Sequence, residues 1–185
     1  MRLIAPPLSV LRRLVDGDPA TAGDILGLQI QSSVWPDDAE MRDGLAVHLA
    51  ACQINPADLQ WRVFLIADET GKVMGHTGFK GGPGRSREVE IYWCVEPPWR
   101  GRGIAGQAAA SLCRYAFEQD NVIDIVATIA ASNVASRHVA EKLGMRAVRG
   151  ETKFGLPLWR LIRGEQQAAA VLRAPPAPVV QAPRE

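Results

Sequence analysis

Four side chains capable of chemistry fall on one side of a single stretch. Glu88, Glu90, Tyr92 and Cys94 alternate with Val89, Ile91, Trp93 and Val95, the period-two pattern of a strand with two different faces. A carboxylate works as a base near neutral pH only when burial or a like charge raises its pKa, and the Glu88/Glu90 pairing is suited to that. A pair of solvated strand carboxylates is the alternative. Pro97-Pro98 ends the strand, and Trp99-Arg100-Gly101-Arg102-Gly103-Ile104-Ala105 follows. Gly101 and Gly103 allow backbone conformations that a Cβ forbids. Residues 104–119 then read as a helix with Ala105, Ala108, Ala109, Leu112, Ala116 and Phe117 on its buried side. The first turn of a helix has N–H groups without intrahelical partners and the positive end of the dipole, so a phosphate is stabilised there. Arg100 and Arg102 add charge to the same spot, which makes the turn a candidate site for a phosphate-bearing cofactor.

Two readings compete for that turn. Gly101-Arg102-Gly103-Ile104-Ala105-Gly106 is literally a G-x-G-x-x-G, with Asp120 near the place of a ribose-binding acid, as in a dinucleotide-binding fold. In that fold, however, the first glycine follows its strand directly, whereas here Pro97-Pro98-Trp99-Arg100 intervenes. The second reading uses more of the chain. Arg100-Gly101-Arg102-Gly103-Ile104-Ala105 resembles the R/Q-x-x-G-x-G/A signature of the GNAT superfamily of acetyl-CoA-dependent N-acetyltransferases. Asn133-Val134-Ala135-Ser136, followed by Glu141-Lys142-Leu143-Gly144-Met145, resembles the N-x-x-S…E-K-L-G-F segment of its ribosomal-protein N-terminal acetyltransferase branch. The likeness spans residues 62–163.

That resemblance implies a mixed α/β sheet, mostly antiparallel, with one parallel pair splayed at the cofactor site and helices on both faces. It implies acetyl-CoA as donor and no metal. The cofactor would meet Val95 through a backbone N–H, Arg100, Gly101, Arg102, Gly103, Ile104 and Ala105 through the turn, and Asn133 and Ser136 at the next helix. Glu90 would be the base. The position of the family's proton-donating tyrosine holds Ala140, so Ser136 or a water stands in, with the serine's role positional. Trp35, Glu88 and Tyr92 are the candidate acceptor contacts. His48 and Trp61 lie on the same walls, but a surface helix histidine and a packing tryptophan account for them. An acyl-enzyme on Cys94 would need a histidine placed to make a thiolate, and none is evident in the sequence. The acceptor implied is a primary amine, either a protein N-terminus or a small molecule. A module that holds CoA without turnover is the competing class. Neither nucleic acid nor membrane is implied as a partner, and the chain is expected to be a monomer or homodimer.

The rest of the chain must position these groups. With 185 residues and 47% hydrophobic content, it suits one buried domain over 1–164. Residues 165–185 form an Ala/Pro-rich tail with little to bury, expected to be disordered. A formal net charge of +1 gives no overall field for polyanions. Cys52, Cys94 and Cys113 at wide spacings favour neither a disulfide framework nor zinc, and a cytoplasmic location is expected. Residues 9–15 read as a first strand. Asp18 caps a helix with Pro19 at its first position, running to about Gln31, and a second helix covers 39–52 with Met41, Leu45, Leu49 and Cys52 as its stripe. Residues 55–58 read as a loop. Strands over 62–67 and 73–79 join through Asp68-Glu69-Thr70-Gly71. A strand over 123–129, a helix from Asn133 to Gly144 and two strands over 146–149 and 158–162 complete the domain.

Overall fold

The computed structural model describes residues 1–31, 39–153, 155–164 and 179–181. Its strands are β1 (Arg2–Ala5), β2 (Val63–Ala67), β3 (Val73–Phe79), β4 (Glu88–Val95), β5 (Asp124–Thr128), β6 (Arg146–Lys153), β7 (Leu156–Ile162) and β8 (Val179–Gln181). The helices are α1 (Leu8–Val15), α2 (Pro19–Leu26), α3 (Ala39–Ile54), α4 (Ile104–Phe117) and α5 (Val134–Lys142). The strands form one sheet in the order β6-β7-β5-β4-β3-β2-β1-β8. β1 to β4 are an antiparallel meander, β4 and β5 are the central parallel pair, and β7 and β6 close the far side antiparallel. The mixed sheet with one parallel pair in its seven-stranded body is the fold class expected from the sequence. A doubly wound dinucleotide fold does not begin with a meander.

Period two along the strands sorts the interior into two clusters. Leu3, Ala5, Phe64, Ile66, Val89, Ile91, Val95, Ile125, Ala127, Trp159 and Leu161 face α4 and α5 in one. Ile4, Val63, Leu65, Ala67 and Val73 face Val10, Leu11 and Leu14 of α1 and Leu45 and Leu49 of α3 in the other. The polar residues of β4 lie on this second face.

Several local expectations are corrected. Residues 9–15 belong to helix α1, not a strand, because Val10, Leu11 and Leu14 are buried while Arg12 and Arg13 are exposed, a helical spacing. The first strand is Arg2–Ala5 instead. α2 is capped as expected, with the Thr21 N–H donating to Asp18 Oδ1 at 3.1 Å, but it stops at Leu26 because Gly27 takes the left-handed conformation (φ 63). Pro56–Trp61 is a 3₁₀ helix capped by Asn55 where a loop was expected. In the tail, Val179–Gln181 pairs parallel to β1, so these three residues are a strand in a stretch expected to lack structure.

Candidate functional site

The site is built where β4 and β5 part. Their parallel pairing runs Glu88 with Asp124, Val89 with Ile125 and Glu90 with Val126, and goes no further. Beyond Glu90, β4 stays paired only with β3, through Tyr92, Trp93, Cys94 and Val95. The Lys80 N–H donates to Glu90 O and the Glu96 N–H to Met74 O, so the even-numbered residues of β4 bond to β3. By the alternation of an antiparallel ladder, the backbone groups of Trp93 and Val95 turn the other way, into the split. The Val95 carbonyl accepts from Arg100 Nε at 2.8 Å, which ties the glycine turn back to the strand. Arg100 is thus a brace for the turn as well as a charge.

The turn itself is open on its ligand-facing side. Gly101 (φ 75) and Gly103 (φ 76) are both left-handed, and Gly103 is the N-cap of α4. A Cβ on Gly101 would meet nothing within 4 Å, and one on Gly103 only Gln107 Nε2 at 3.9 Å. The glycines therefore serve backbone conformation and leave space above the N-terminus of α4. Arg102 stacks over the Trp99 ring at 5.0 Å, with Lys72 at 5.5 Å from the same ring. An extended, phosphate-bearing ligand fits here: free N–H groups at the first turn of α4, cations beside them, and unpaired strand backbone leading inward. Asn133 caps α5, its Oδ1 accepting from the Ser136 N–H at 3.0 Å. The α5 N-terminus lies beyond the C-terminal end of β5, alongside the split.

Asp120 does not share this place. It follows α4, whose 14 residues span about 21 Å, so it sits at the opposite end of the helix from the turn. The dinucleotide reading loses its acid as well as its fold. An open cleft lined by Asp58, Trp61, Gly82, Pro83 and Asn121 also lies at that far end, where β4 begins, away from the split.

On the second face of the sheet, charged groups converge on Glu90. Its carboxylate, 4% exposed, takes Lys80 Nζ at 2.6 Å and Thr128 Oγ1 at 2.7 Å on Oε1, and Lys153 Nζ at 2.9 Å on Oε2. Lys80 Nζ also donates to Thr128 Oγ1 at 3.1 Å. Burial pushes the Glu90 pKa up, but the hydrogen bonds from Lys80, Thr128 and Lys153 outweigh it and leave the carboxyl below its ordinary value. This corrects the sequence expectation of a base raised by its neighbour: Glu88 turns to Arg160, 3.5 Å away, and Lys153, 3.9 Å away, so no like-charge pressure dominates. Neither carboxylate is simply solvated.

Tyr92, two residues on, sits between two histidine rings, with centroids 5.8 Å from His48 and 5.7 Å from His76. Burial drives its phenol pKa far up, so it stays protonated. His48 is buried, not a surface residue, and burial, with Arg62 and Lys80 nearby, lowers it to about 4. Its Nδ1 has no hydrogen-bond partner. His76 is also lowered to about 4, chiefly by burial. The register sets His76 directly across from Cys94, a pairing that the sequence did not reveal. As a neutral ring it supplies no cation to stabilise a thiolate. Trp61 packs on Phe79 at 5.3 Å, as its packing role predicted. Ala140 is fully buried, and Trp35 lies outside the described residues. His48 had a signal in its helical spacing from Leu45 and Cys52, whereas Lys153 had none: the sequence placed it in the link between the last two strands, and the structure extends β6 to include it.

A sheet split between parallel strands, with a glycine turn and a helix N-terminus at the mouth and a buried carboxylate at the closed end, defines an acyl-CoA-type transferase architecture. Residues 10–146 match the family model described as Acetyltransferase (GNAT) domain, and the chain belongs to that family. The uncharacterized N-acetyltransferase YnaD of Bacillus subtilis (strain 168) is 37% identical over 57 residues, which is 31% of this chain and 34% of that protein. The alignment thus spans about a third of that relative's length. The acetyltransferase from Agrobacterium tumefaciens str. C58 superposes with a TM-score of 0.59 at 23% identity, covering 86% of this chain and 88% of that one. RimL, a ribosomal L7/L12 alpha-N-protein acetyltransferase solved with coenzyme A, gives 0.57 at 16% identity, covering 86% and 92%. At these identities the two structures establish the fold. Among the described residues no group of side chains could hold a metal, and no helix is long and apolar enough to cross a membrane.

Proposed function

We propose that this domain transfers an acetyl group from acetyl-CoA directly to a primary amine. The observation that carries the reading is the end of β4–β5 pairing at Glu90, together with a glycine turn where an added Cβ would meet nothing within 4 Å at Gly101 and only Gln107 Nε2 at 3.9 Å at Gly103. The N–H groups of Arg102, Gly103, Ile104 and Ala105 would hold the pyrophosphate, with Arg100 and Gly101 shaping the turn. Asn133 and Ser136 would border the pantetheine arm. The Val95 N–H, turned into the split, would meet the thioester oxygen, where a preorganised donor stabilises the charge that develops in the transition state. Acetyl-CoA supplies the activated acyl group.

Glu90 would accept the amine proton, with Glu88 and Tyr92 lining the acceptor's approach. Trp35 is proposed there from the sequence alone. Since Glu90 is held below its ordinary pKa, it binds an ammonium well and takes its proton poorly until one of its lysines leaves. That same observation favours the second reading, a CoA-holding module without turnover. The resemblance of Asn133–Ser136 and Glu141–Met145 to the ribosomal-protein branch makes a protein or peptide N-terminal amine the leading acceptor class, with a small-molecule amine such as a polyamine close behind.

Thermal unfolding with acetyl-CoA, CoA and NAD, each added separately, tests the ligand. A ligand at 100 times its Kd adds about 2.7 kcal/mol, roughly 5–11 °C for a chain of this size. A shift with both CoA forms and none with NAD is expected. A shift with NAD alone would overturn the assignment. Turnover of a responsive amine then separates enzyme from module: in the enzyme, Glu90→Gln should lower the rate on the order of 10²-fold or more while leaving CoA binding intact.

A further inference from the structure

A primary ammonium of the chain itself already occupies the carboxylate at the closed end of the split. Lys153 is the last residue of β6, and the β6–β7 hairpin carries it to the polar face of β4. Its Nζ lies 2.9 Å from Glu90 Oε2, with its side chain 39% exposed. Lys80 touches the other oxygen, but it is closed into a ring: Lys80 donates to Thr128, Thr128 donates to Glu90, and Glu90 pairs with Lys80. Lys153 has a single short contact, on a hairpin end, beside the residue at which the split begins. Its amine is the one in position to move from the base toward a thioester.

We propose that Lys153 is a self-acetylation site, which takes the acetyl group of a bound acyl-CoA thioester when no amine acceptor is present. The inference rests on the acetyl-transfer reading above. As Lys153 moves off Glu90, withdrawing one of the hydrogen bonds that hold that carboxyl low, one proton of the ammonium passes to the carboxylate. The freed lone pair forms a C–N bond to the thioester carbonyl carbon, and the C–S bond breaks. The second nitrogen proton neutralises the departing thiolate, Glu90 returns its proton to solvent, and the products are an N-acetyl-lysine and CoA thiol. The neutral amide no longer pairs with Glu90, so the reaction removes one of the two lysines that hold that carboxylate.

The test incubates the full chain with acetyl-CoA and no amine, reading intact mass and mapped peptides over time, with a thermal-unfolding shift by CoA as the binding control. One acetyl group on Lys153 is expected, at a rate independent of protein concentration, as a tethered nucleophile requires. Glu90→Gln should slow it on the order of 10²-fold, and Lys153→Arg should abolish it while keeping the CoA shift. A CoA shift and amine turnover without label on Lys153 would overturn this proposal and leave acetyl transfer standing. So would labelling at the same rate in Glu90→Gln or in the heat-unfolded chain. Absence of any CoA shift would overturn both.

Discussion

Replacing Gly103 separates what the turn does for the fold from what it does for a ligand. Gly103 has φ 76, where a β-branched residue is strained, yet a Cβ there meets only Gln107 Nε2 at 3.9 Å. Gly103→Val therefore costs the fold backbone strain alone, about 1–3 kcal/mol, which lowers the unfolding midpoint by about 2–12 °C in a chain of this size. The empty space it fills is the place proposed for a pyrophosphate. Hydrogen bonds to a charged group contribute about 1.5–3 kcal/mol each, so losing two of them weakens CoA binding by about 10²–10⁴-fold. Gly17→Val is the matched control: φ 78, nothing within 4 Å of its Cβ, and a position between α1 and α2 away from the split. Titration calorimetry with CoA, well below either midpoint, should find the control's affinity unchanged and that of Gly103→Val lost. Equal affinities in the two variants would refute the placement of the pyrophosphate at this turn.

Two further outcomes follow from the polar face. Thr128→Val keeps the side-chain shape but leaves a nearly inaccessible Glu90 oxygen one donor short, which costs about 1–3 kcal/mol; an unchanged urea midpoint would contradict the network. His48 and His76 are each lowered from 6.5 to about 4, so between those values the unfolded chain binds protons that the folded chain refuses. Stability should be full above about pH 6.5 and fall toward about pH 4, with a further loss below the ordinary carboxylate value of 4.5, where the unfolded chain takes up a proton that the folded Glu90 still refuses. A midpoint that stays flat across that interval would show that the two rings are not buried neutral.

What was legible in the sequence was local. The alternation from Glu88 to Val95, the prolines that end it and the glycines before Ile104 specify a strand, a turn and a helix within one short stretch, and each is where the pattern put it. The chemistry of Glu90 was not legible, because it depends on Lys153, a residue 63 positions along the chain, brought over by three successive strand pairings. Sequence spacing offered Glu88 as the near partner, but the sheet gave Glu88 to Arg160. His48 was misread for a different reason: it lies at helical spacing from Leu45 and Cys52, within the stripe that is buried, and only its polar type suggested the surface. The stretch from Ser9 to Val15 shows the reverse error: it read as a strand, although the burial of Val10, Leu11 and Leu14 has a helical period.

The division of the interior into two clusters bears on how such a chain can diverge. α4, α5 and the alternate residues facing them make one hydrophobic body, which supports the glycine turn. α1, α2, α3 and the opposite residues make the other, which walls the polar face. The two lie on opposite faces of the sheet, separated by its strands. Side chains on the second body can therefore be exchanged with the turn and its helix left undisturbed, which on the proposed function would reshape the approach of the amine. On the proposed function, a drift confined to one face of the sheet would change the acceptor side while the half assigned to the donor keeps its form.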